Sequence, residues 1–312
     1  RPLQDEDFEA LSKAEVFEIA NDMQDSRLSL AGAQSKTGWF LPRGKDAKKA
    51  GSGDWMLPLG SAPSTHIVKI ASTKHPDLPF NELICMTAAS AAGLEIARSE
   101  ASDTIPGAFF SERYDRIWSN EPPSMSGFDV PLRLHQEDFC QAVGWPSYMK
   151  YETRPDSCYM ALCGRLIREQ SSNVIADTQM FARQVMVDYA LGNCDSHLKN
   201  HSFLYSPSWR EKRLAPAYDI VCTTIMGYDH NLGIDIGDHR VIDGVTPEDF
   251  EFMSQDLHLP LKMIKNIAAE VAEEVSAQLA ELASATGDLG RVALKIQTDS
   301  VERMRVLEQF SA

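Results

Sequence analysis

Leu191-Gly192-Asn193-Cys194-Asp195-Ser196-His197-Leu198-Lys199-Asn200, followed after a short gap by Leu214-Ala215-Pro216-Ala217-Tyr218-Asp219, is the stretch on which the reading of this chain turns. Upstream of it, Phe181, Val185, Val187, Tyr189 and Leu191 alternate with Ala and Met, the pattern of a buried helix that runs into Gly192-Asn193. Downstream, Ser202-Phe203-Leu204-Tyr205 reads as a short strand. Asp195 therefore falls in the turn between a helix and a strand. Asn, Asp and Ser also form ordinary turns, so the stretch alone supports a plain turn as well as a site.

An Asp, an Asn five residues on and a second Asp after an intervening strand is the order in which protein kinases present a catalytic base and two Mg²⁺ ligands. Phosphoryl transfer asks a protein to hold phosphates in line with an acceptor hydroxyl and to neutralise charge. Hard oxygen ligands serve that purpose. Asp219 and the amide oxygen of Asn200 suit Mg²⁺, which takes few protein oxygens plus phosphate and water. Asp195 is left to accept a proton, and Lys199 beside it to steady the transferring phosphate.

More of the pattern lies upstream. Ser64-Thr65-His66-Ile67-Val68-Lys69-Ile70 is a β-branched run with one Lys, as the nucleotide-binding Lys of a kinase sits on its third strand. Asn81-Glu82 opens an apolar helical stretch, Leu83 to Ala92, ended by Gly93, which places Glu82 to pair with Lys69. An exposed strand Lys and a first-turn carboxylate are the plainer readings. Earlier still, the small-residue turn Ala31-Gly32-Ala33-Gln34 between two strands would let backbone N–H groups approach phosphate. The loop has neither G-x-G-x-x-G nor G-x-x-x-x-G-K-[ST].

Seven blocks in order resemble the HipA family: Ser29-Leu-Ala-Gly-Ala-Gln-Ser-Lys36, Thr65-His-Ile-Val-Lys69, Asn81-Glu82, Glu112-Arg-Tyr-Asp-Arg116, Arg133-Leu-His-Gln-Glu-Asp-Phe-Cys-Gln141, Asn193 to Asn200 and Leu214 to Asp219. The resemblance runs from about Arg27 to Val245 and more loosely beyond. It implies a bacterial serine/threonine kinase using ATP and Mg²⁺, acting as the toxin of a toxin–antitoxin pair, with an aminoacyl-tRNA synthetase as the typical substrate and growth arrest as the outcome. By the same resemblance Asp195 is the base, with Lys199 counted beside it as catalytic, and Asn200 and Asp219 hold Mg²⁺. Lys69, Glu82, His197 and the Ala31 to Gln34 turn serve the nucleotide, and Glu112 to Tyr114 form the hinge at adenine. Ser29 matches the family's regulatory autophosphorylation serine. His135 stands where the family usually has Pro. Asp138 reads equally as a helix cap and as a functional carboxylate.

The implied fold is α+β and two-lobed, like a protein kinase. A smaller β-rich lobe spans residues 1–115, and a larger, mostly helical lobe spans 116–312. Helical periodicity covers Ser157 to Gln170, Asp177 to Leu191, Leu261 to Thr286 and Leu294 to Phe310, and Gly233 to Gly237 reads as a brief strand. Only 26 residues precede Arg27, with a short amphipathic helix over Phe8 to Ile19. A short-form member whose N-terminal subdomain is a separate protein and a truncated chain both fit that length.

With 312 residues, 43% of them hydrophobic, the chain can bury large cores. Six scattered cysteines without Cys-x-x-Cys pairs read as buried thiols of a reducing, cytoplasmic compartment. No transmembrane run appears. A formal charge of −15 argues against gripping DNA directly and suits a basic partner such as a DNA-binding helix-turn-helix antitoxin. The one basic cluster, Arg43 to Lys49, reads as a solvated hairpin tip. A nucleotide-binding, catalytically dead partner-binding module and a small-molecule or lipid kinase are the alternatives, because fold does not fix substrate.

Overall fold

The computed structural model of the chain describes residues 1–3, 36–43, 55–71, 75–101, 107–153 and 157–312. The expected Phe8 to Ile19 helix, Ser29, Ser35, the Ala31-Gly32-Ala33-Gln34 turn and most of the basic tip lie outside these residues. The chain divides into two compact units, Arg1–Leu83 with Ala97–Leu134, and Ile84–Ile96 with His135–Ala312.

The first unit is built on an antiparallel four-stranded sheet. Its order is β1 (Lys36–Trp39), β2 (His66–Ile70), β4 (Ala108–Glu112) and β3 (Ser99–Ala101). Successive strand residues point to opposite faces, and the register pairs Val68 with Phe110 and Lys69 with Phe109. One face therefore carries Trp39, Val68, Ala108 and Phe110, which pack with Leu3, Leu41 and Trp55 into an aromatic-rich core. Phe110 stacks on Trp55 at 5.0 Å and meets Trp39 edge-on at 5.7 Å. The opposite face carries Lys69. Helix α1 (Leu78–Ala91), of which residues up to Leu83 belong to this unit and the rest to the second, starts one turn earlier than its sequence suggests, so Asn81 and Glu82 lie inside it. Pro79, tolerated in a first turn, extends the start. Gly93, at φ +82°, ends the helix through the Leu94 N–H to Ala89 carbonyl bond of 3.1 Å.

The break expected after residue 115 falls within this unit. Strand β5 (Arg116–Ile117) pairs with β8 (Leu132–Arg133), and Arg116 Nε donates to the Ser64 carbonyl at 2.9 Å. Between them, β6 (Ser124–Met125) and β7 (Phe128–Asp129) form a small hairpin.

The second unit is mostly helical. Strand β9 (Gln136–Asp138) leads into the short helix α2 (Phe139–Ala142), followed by α3 (Tyr159–Gln170) and α4 (Val174–Leu191). Strands β10 (Ser202–Tyr205) and β11 (Lys212–Leu214) complete a three-stranded sheet with β9. The hairpin of β12 (Asn231–Ile236) and β13 (His239–Val241) precedes α5 (Pro247–Leu257), α6 (Leu261–Ala283) and α7 (Gly287–Ser311). Helix α6 buries Ile264, Ile267, Ala268, Val271, Ala272, Val275 and Leu279, an apolar stripe at helical spacing. Helix α4 is buried nearly all round from Phe181 on, polar Gln184 and Asp188 included. Helix α7 begins seven residues before Leu294, after the cap residue Thr286, and α6 stops at Ala283.

His135, the departure from the family's Pro, stacks on Trp209 at 4.9 Å and packs beside Tyr205. Its carbonyl also accepts the Tyr205 N–H at 3.0 Å.

Truncating Phe110, which is 1% exposed, should cost about 3–5 kcal/mol. A Phe110→Ala urea titration followed by tryptophan fluorescence checks this, and an unchanged midpoint would remove the ring from the core of the sheet.

Candidate active site

The loop after α4 is shaped by the helix that precedes it. Gly192 closes α4 in the left-handed conformation, φ +74°. A Cβ there would strike Thr224 Oγ1 and come within 2.8 Å of an Arg303 nitrogen, so space and backbone both demand glycine. Asp188, inside the buried helix, then bonds the loop. Its carboxylate accepts from Asn193 Nδ2 at 2.7 Å and from Ser196 Oγ at 2.6 Å. Its carbonyl accepts the Asn193 N–H at 2.8 Å. Burial raises this carboxyl to about 7 although both donors favour its charged form.

Other groups close the loop from its sides. Thr223 Oγ1 accepts the Cys194 N–H at 2.9 Å, and the Thr223 N–H donates to the Gly192 carbonyl at 2.9 Å. His201 Nε2 lies 3.3 Å from Ser196 Oγ, and burial lowers its pKa to about 3, so the ring is neutral. Strand β12 passes so close that a Cβ on Gly233 would lie 2.6 Å from the Ser196 carbonyl.

On this scaffold Asp195 presents a half-exposed carboxylate. Its carbonyl accepts Asn200 Nδ2 at 3.0 Å, which spends the amide nitrogen and leaves the amide oxygen as Asn200's acceptor. Its Oδ1 accepts the Tyr151 hydroxyl at 2.5 Å and lies 4.0 Å from His197 Nε2. Burial lowers the pKa of His197, and the Asp195 charge opposes that shift. Lys199 Nζ is ion-paired to Asp138 Oδ2 at 2.6 Å. Asp138 uses its other oxygen to cap α2, accepting the Gln141 N–H at 2.9 Å. It is thus both a cap and a partner of a candidate catalytic group.

Asp219 follows Tyr218, whose hydroxyl donates to the Lys199 carbonyl at 2.7 Å and lies 2.7 Å from Ser202 Oγ. Asp219 itself adopts φ +61°, a conformation Asp reaches at modest cost and one that gathers at functional sites. The preceding Ala217 bridges to Ile96 and donates its N–H to the Glu95 carbonyl at 2.7 Å. Among the described residues no three His, Cys, Asp or Glu side chains cluster to ligate a metal. The two oxygen donors Asn200 and Asp219 suit a cation such as Mg²⁺, which completes its shell with phosphate and water.

In the first unit Lys69 Nζ and Glu82 Oε1 meet at 2.6 Å, both side chains almost fully buried. Lys69 also lies 5.8 Å from the Phe109 ring centroid. Glu112 ends β4, and its N–H donates to the Arg98 carbonyl at 2.7 Å, while the Arg113 N–H donates to the Thr65 carbonyl at 2.8 Å. An adenine contact through either N–H would displace a sheet bond. Tyr114 leads into Asp115, which pairs with Arg113 at 2.8 Å and Arg116 at 2.6 Å.

Three residues here escaped the sequence reading: Asp188, Tyr151 and, as the partner of Lys199, Asp138. A carboxylate within the mostly apolar run Val185 to Leu191 is the signal that marks Asp188. Nothing local in sequence joins Tyr151 to Asp195, 44 positions away.

Asp188 yields a pH test. Its folded pKa of about 7 exceeds the ordinary carboxyl value of 3.8. Between those values the unfolded chain has released a proton that the folded chain keeps, so this group's contribution to stability falls as pH rises through the window. Asp188→Asn should be less stable at pH 5 by about 1–3 kcal/mol for the lost hydrogen bond. That gap should narrow by pH 8, as read from urea midpoints at both pH values.

The HipA-like C-terminal domain family matches residues 28–279. Among curated relatives, Y4mE of Sinorhizobium fredii, which bears the name of a presumed kinase, is 27% identical over 92% of this chain and 67% of its own length. The serine/threonine-protein kinase toxin HipA of Shewanella oneidensis is 28% identical over 82% of this chain and 57% of its own. The chain thus spans between 57% and 67% of these two relatives. The solved Shewanella oneidensis HipA, in complex with HipB and operator DNA, superposes over 100% of this chain and 73% of that one, with TM-score 0.76 and 23% identity. The Helicobacter pylori proinflammatory kinase CtkA superposes over 79% of this chain and 90% of that one, with TM-score 0.52 and 11% identity. A smaller β-rich unit, a larger helical unit and a family match over most of the length lead to one assignment: the chain belongs to the HipA-like C-terminal domain family and has its two-lobed kinase fold.

Proposed function

We propose that this chain is a protein serine/threonine kinase that uses ATP and Mg²⁺ and works as the toxin of a bacterial toxin–antitoxin pair. The observation that carries the reading is the Asp195–Asn200 arrangement. The loop exposes one carboxylate and holds the neighbouring amide by its nitrogen, with its oxygen as the acceptor left for a cation. In this reading Asp195 accepts the proton of an acceptor hydroxyl as that oxygen bonds to phosphorus. Asn200 and Asp219 hold Mg²⁺, which neutralises phosphate charge when bound. Lys69, paired with Glu82, binds phosphate, and Lys199, paired with Asp138, stands beside the acceptor. His197, Glu112, Tyr114 and the Ala31 to Gln34 turn are assigned to the nucleotide, and Ser29 to regulation by autophosphorylation.

The partner and substrate follow by the same reasoning. HipA of Shewanella oneidensis assembles with HipB and operator DNA, and a formal charge of −15 on this chain favours a basic antitoxin that carries the DNA contact. The substrate class proposed is a component of translation such as an aminoacyl-tRNA synthetase, with arrest of growth as the result. No helix among the described residues is long and apolar enough to cross a membrane.

The division of roles gives distinct outcomes. Asp219→Ala should abolish transfer and weaken Mg²⁺-dependent ATP binding, whereas Asp195→Ala should keep ATP binding and lose turnover. Radiolabelled ATP transfer beside calorimetric ATP titration measures both, and an equal loss of ATP binding in the two variants, with the fold intact, defeats the assignment.

Lys69→Met should raise the ATP KM and lower kcat, since a phosphate contact acts in ground and transition states. It also strands Glu82 in a buried site at about 3–5 kcal/mol, so kinetics are referred to the folded fraction measured by circular dichroism. Wild-type ATP kinetics in that fraction would remove Lys69 from the nucleotide site.

A further inference from the structure

Lys150-Tyr151-Glu152 is tied down on both sides within the second unit. The Lys150 carbonyl accepts the Leu198 N–H at 3.2 Å, a bond to the loop that carries Asp195. The Glu152 N–H donates to the Gly233 carbonyl at 3.0 Å. The Glu152 carboxylate is buried and accepts the N–H groups of Tyr159 at 2.9 Å and Asp235 at 3.0 Å. The tripeptide is therefore a strut between the Asp195 loop, β12 and the start of α3, and the backbone of its central residue is held from both neighbours.

That central side chain is aimed at the carboxylate. Tyr151 places its ring edge-on to His197 at 4.9 Å and under Lys150 Nζ at 4.7 Å, and its hydroxyl donates to Asp195 Oδ1 at 2.5 Å. Burial and the Asp195 charge both raise the pKa of this phenol, so it stays protonated and acts as a donor. Asp195 is otherwise a half-exposed side chain on a turn, and none of the described residues donates a hydrogen bond to its Oδ2. A short carboxylate on a surface turn samples several rotamers unless something holds it. The tyrosine hydroxyl supplies the hold and leaves Oδ2 open.

We infer that Tyr151 is a positioning residue for Asp195, fixing its carboxylate through Oδ1 so that Oδ2 is presented to an acceptor hydroxyl. The consequence for turnover rests on the kinase reading above; the hold itself does not. A misplacement of a reacting group by about 1 Å costs on the order of a hundredfold in rate, and freeing a short side chain to sample neighbouring rotamers is a smaller perturbation, since the productive rotamer stays among them. Removing the hydroxyl should lower kcat by about tenfold.

Two measurements separate the hold from the activity. In protein labelled with ¹³C at tyrosine Cζ, Asp195→Asn should shift the Tyr151 resonance, assigned by its absence in Tyr151→Phe, and leave the other tyrosines in place. An unmoved resonance overturns the inference whether or not the chain transfers phosphate. In the kinase assay, Tyr151→Phe keeps the ring and its contacts with Lys150 and His197, and should lower kcat about tenfold with an unchanged ATP KM and melting temperature. Wild-type kcat in that variant overturns the inference, as does phosphate mapped by mass spectrometry onto Tyr151, which would make the hydroxyl an acceptor. A shifted resonance in a wild-type chain that transfers no phosphate leaves the hold standing and refutes the kinase reading alone.

Discussion

The carboxylate of Asp188 is the constraint from which the candidate site is built. It sits in a helix that is buried nearly all round, where an unpaired charge would be costly, and it is tolerated because Asn193 and Ser196 turn back to bond it. The demand runs both ways. The loop has to fold under the helix end to satisfy the buried acid, and in doing so it carries Asp195 out to the surface between Asn193 and Ser196. Gly192, Thr223 and Arg303 complete the enclosure: Arg303 of α7 donates Nε to the Ala190 carbonyl at 3.3 Å and pairs with Asp299 at 2.5 Å. Asp299 in turn accepts the Thr224 hydroxyl at 2.6 Å, so the C-terminal helix braces the segment that follows Asp219.

Within each unit, ionic groups of the motifs are paired: in the first Lys69 has Glu82, and in the second Lys199 has Asp138 and Asp195 has Tyr151. These pairs serve orientation more than stability, because desolvation of ions offsets much of their attraction when buried. A transfer site gains from groups that are already in place, since no free energy is then spent on ordering them during the reaction.

Much of this was legible in the chain. The strand run through Lys69, the helix containing Glu82 and the Asp195, Asn200 and Asp219 order could be read because local periodicity and short spacings encode them. The strand Ser202–Tyr205 falls where its residues place it. Val68 and Lys69 point to opposite faces of their strand, and folding buries both, Val68 in the aromatic core and Lys69 against Glu82. Element ends were less legible. Helix α1 begins at Leu78, before its acidic residue, because a proline in the first turn extends a helix that side-chain signals place later.

What tertiary structure decided are the contacts whose partners are far apart in sequence. Asp138 looked equally like a cap and a functional carboxylate, and it proves to touch both a helix end and a lysine 61 positions on. Tyr151 bears no local mark of its bond to Asp195, since a tyrosine between a lysine and a glutamate has the same composition whether its hydroxyl meets water or an acid. The chain by itself named the residues proposed to carry the chemistry, because reactive groups cluster in short motifs. Which residues hold those groups in place was settled only by folding, because a hydrogen bond depends on distances of a few ångströms that sequence separation does not encode.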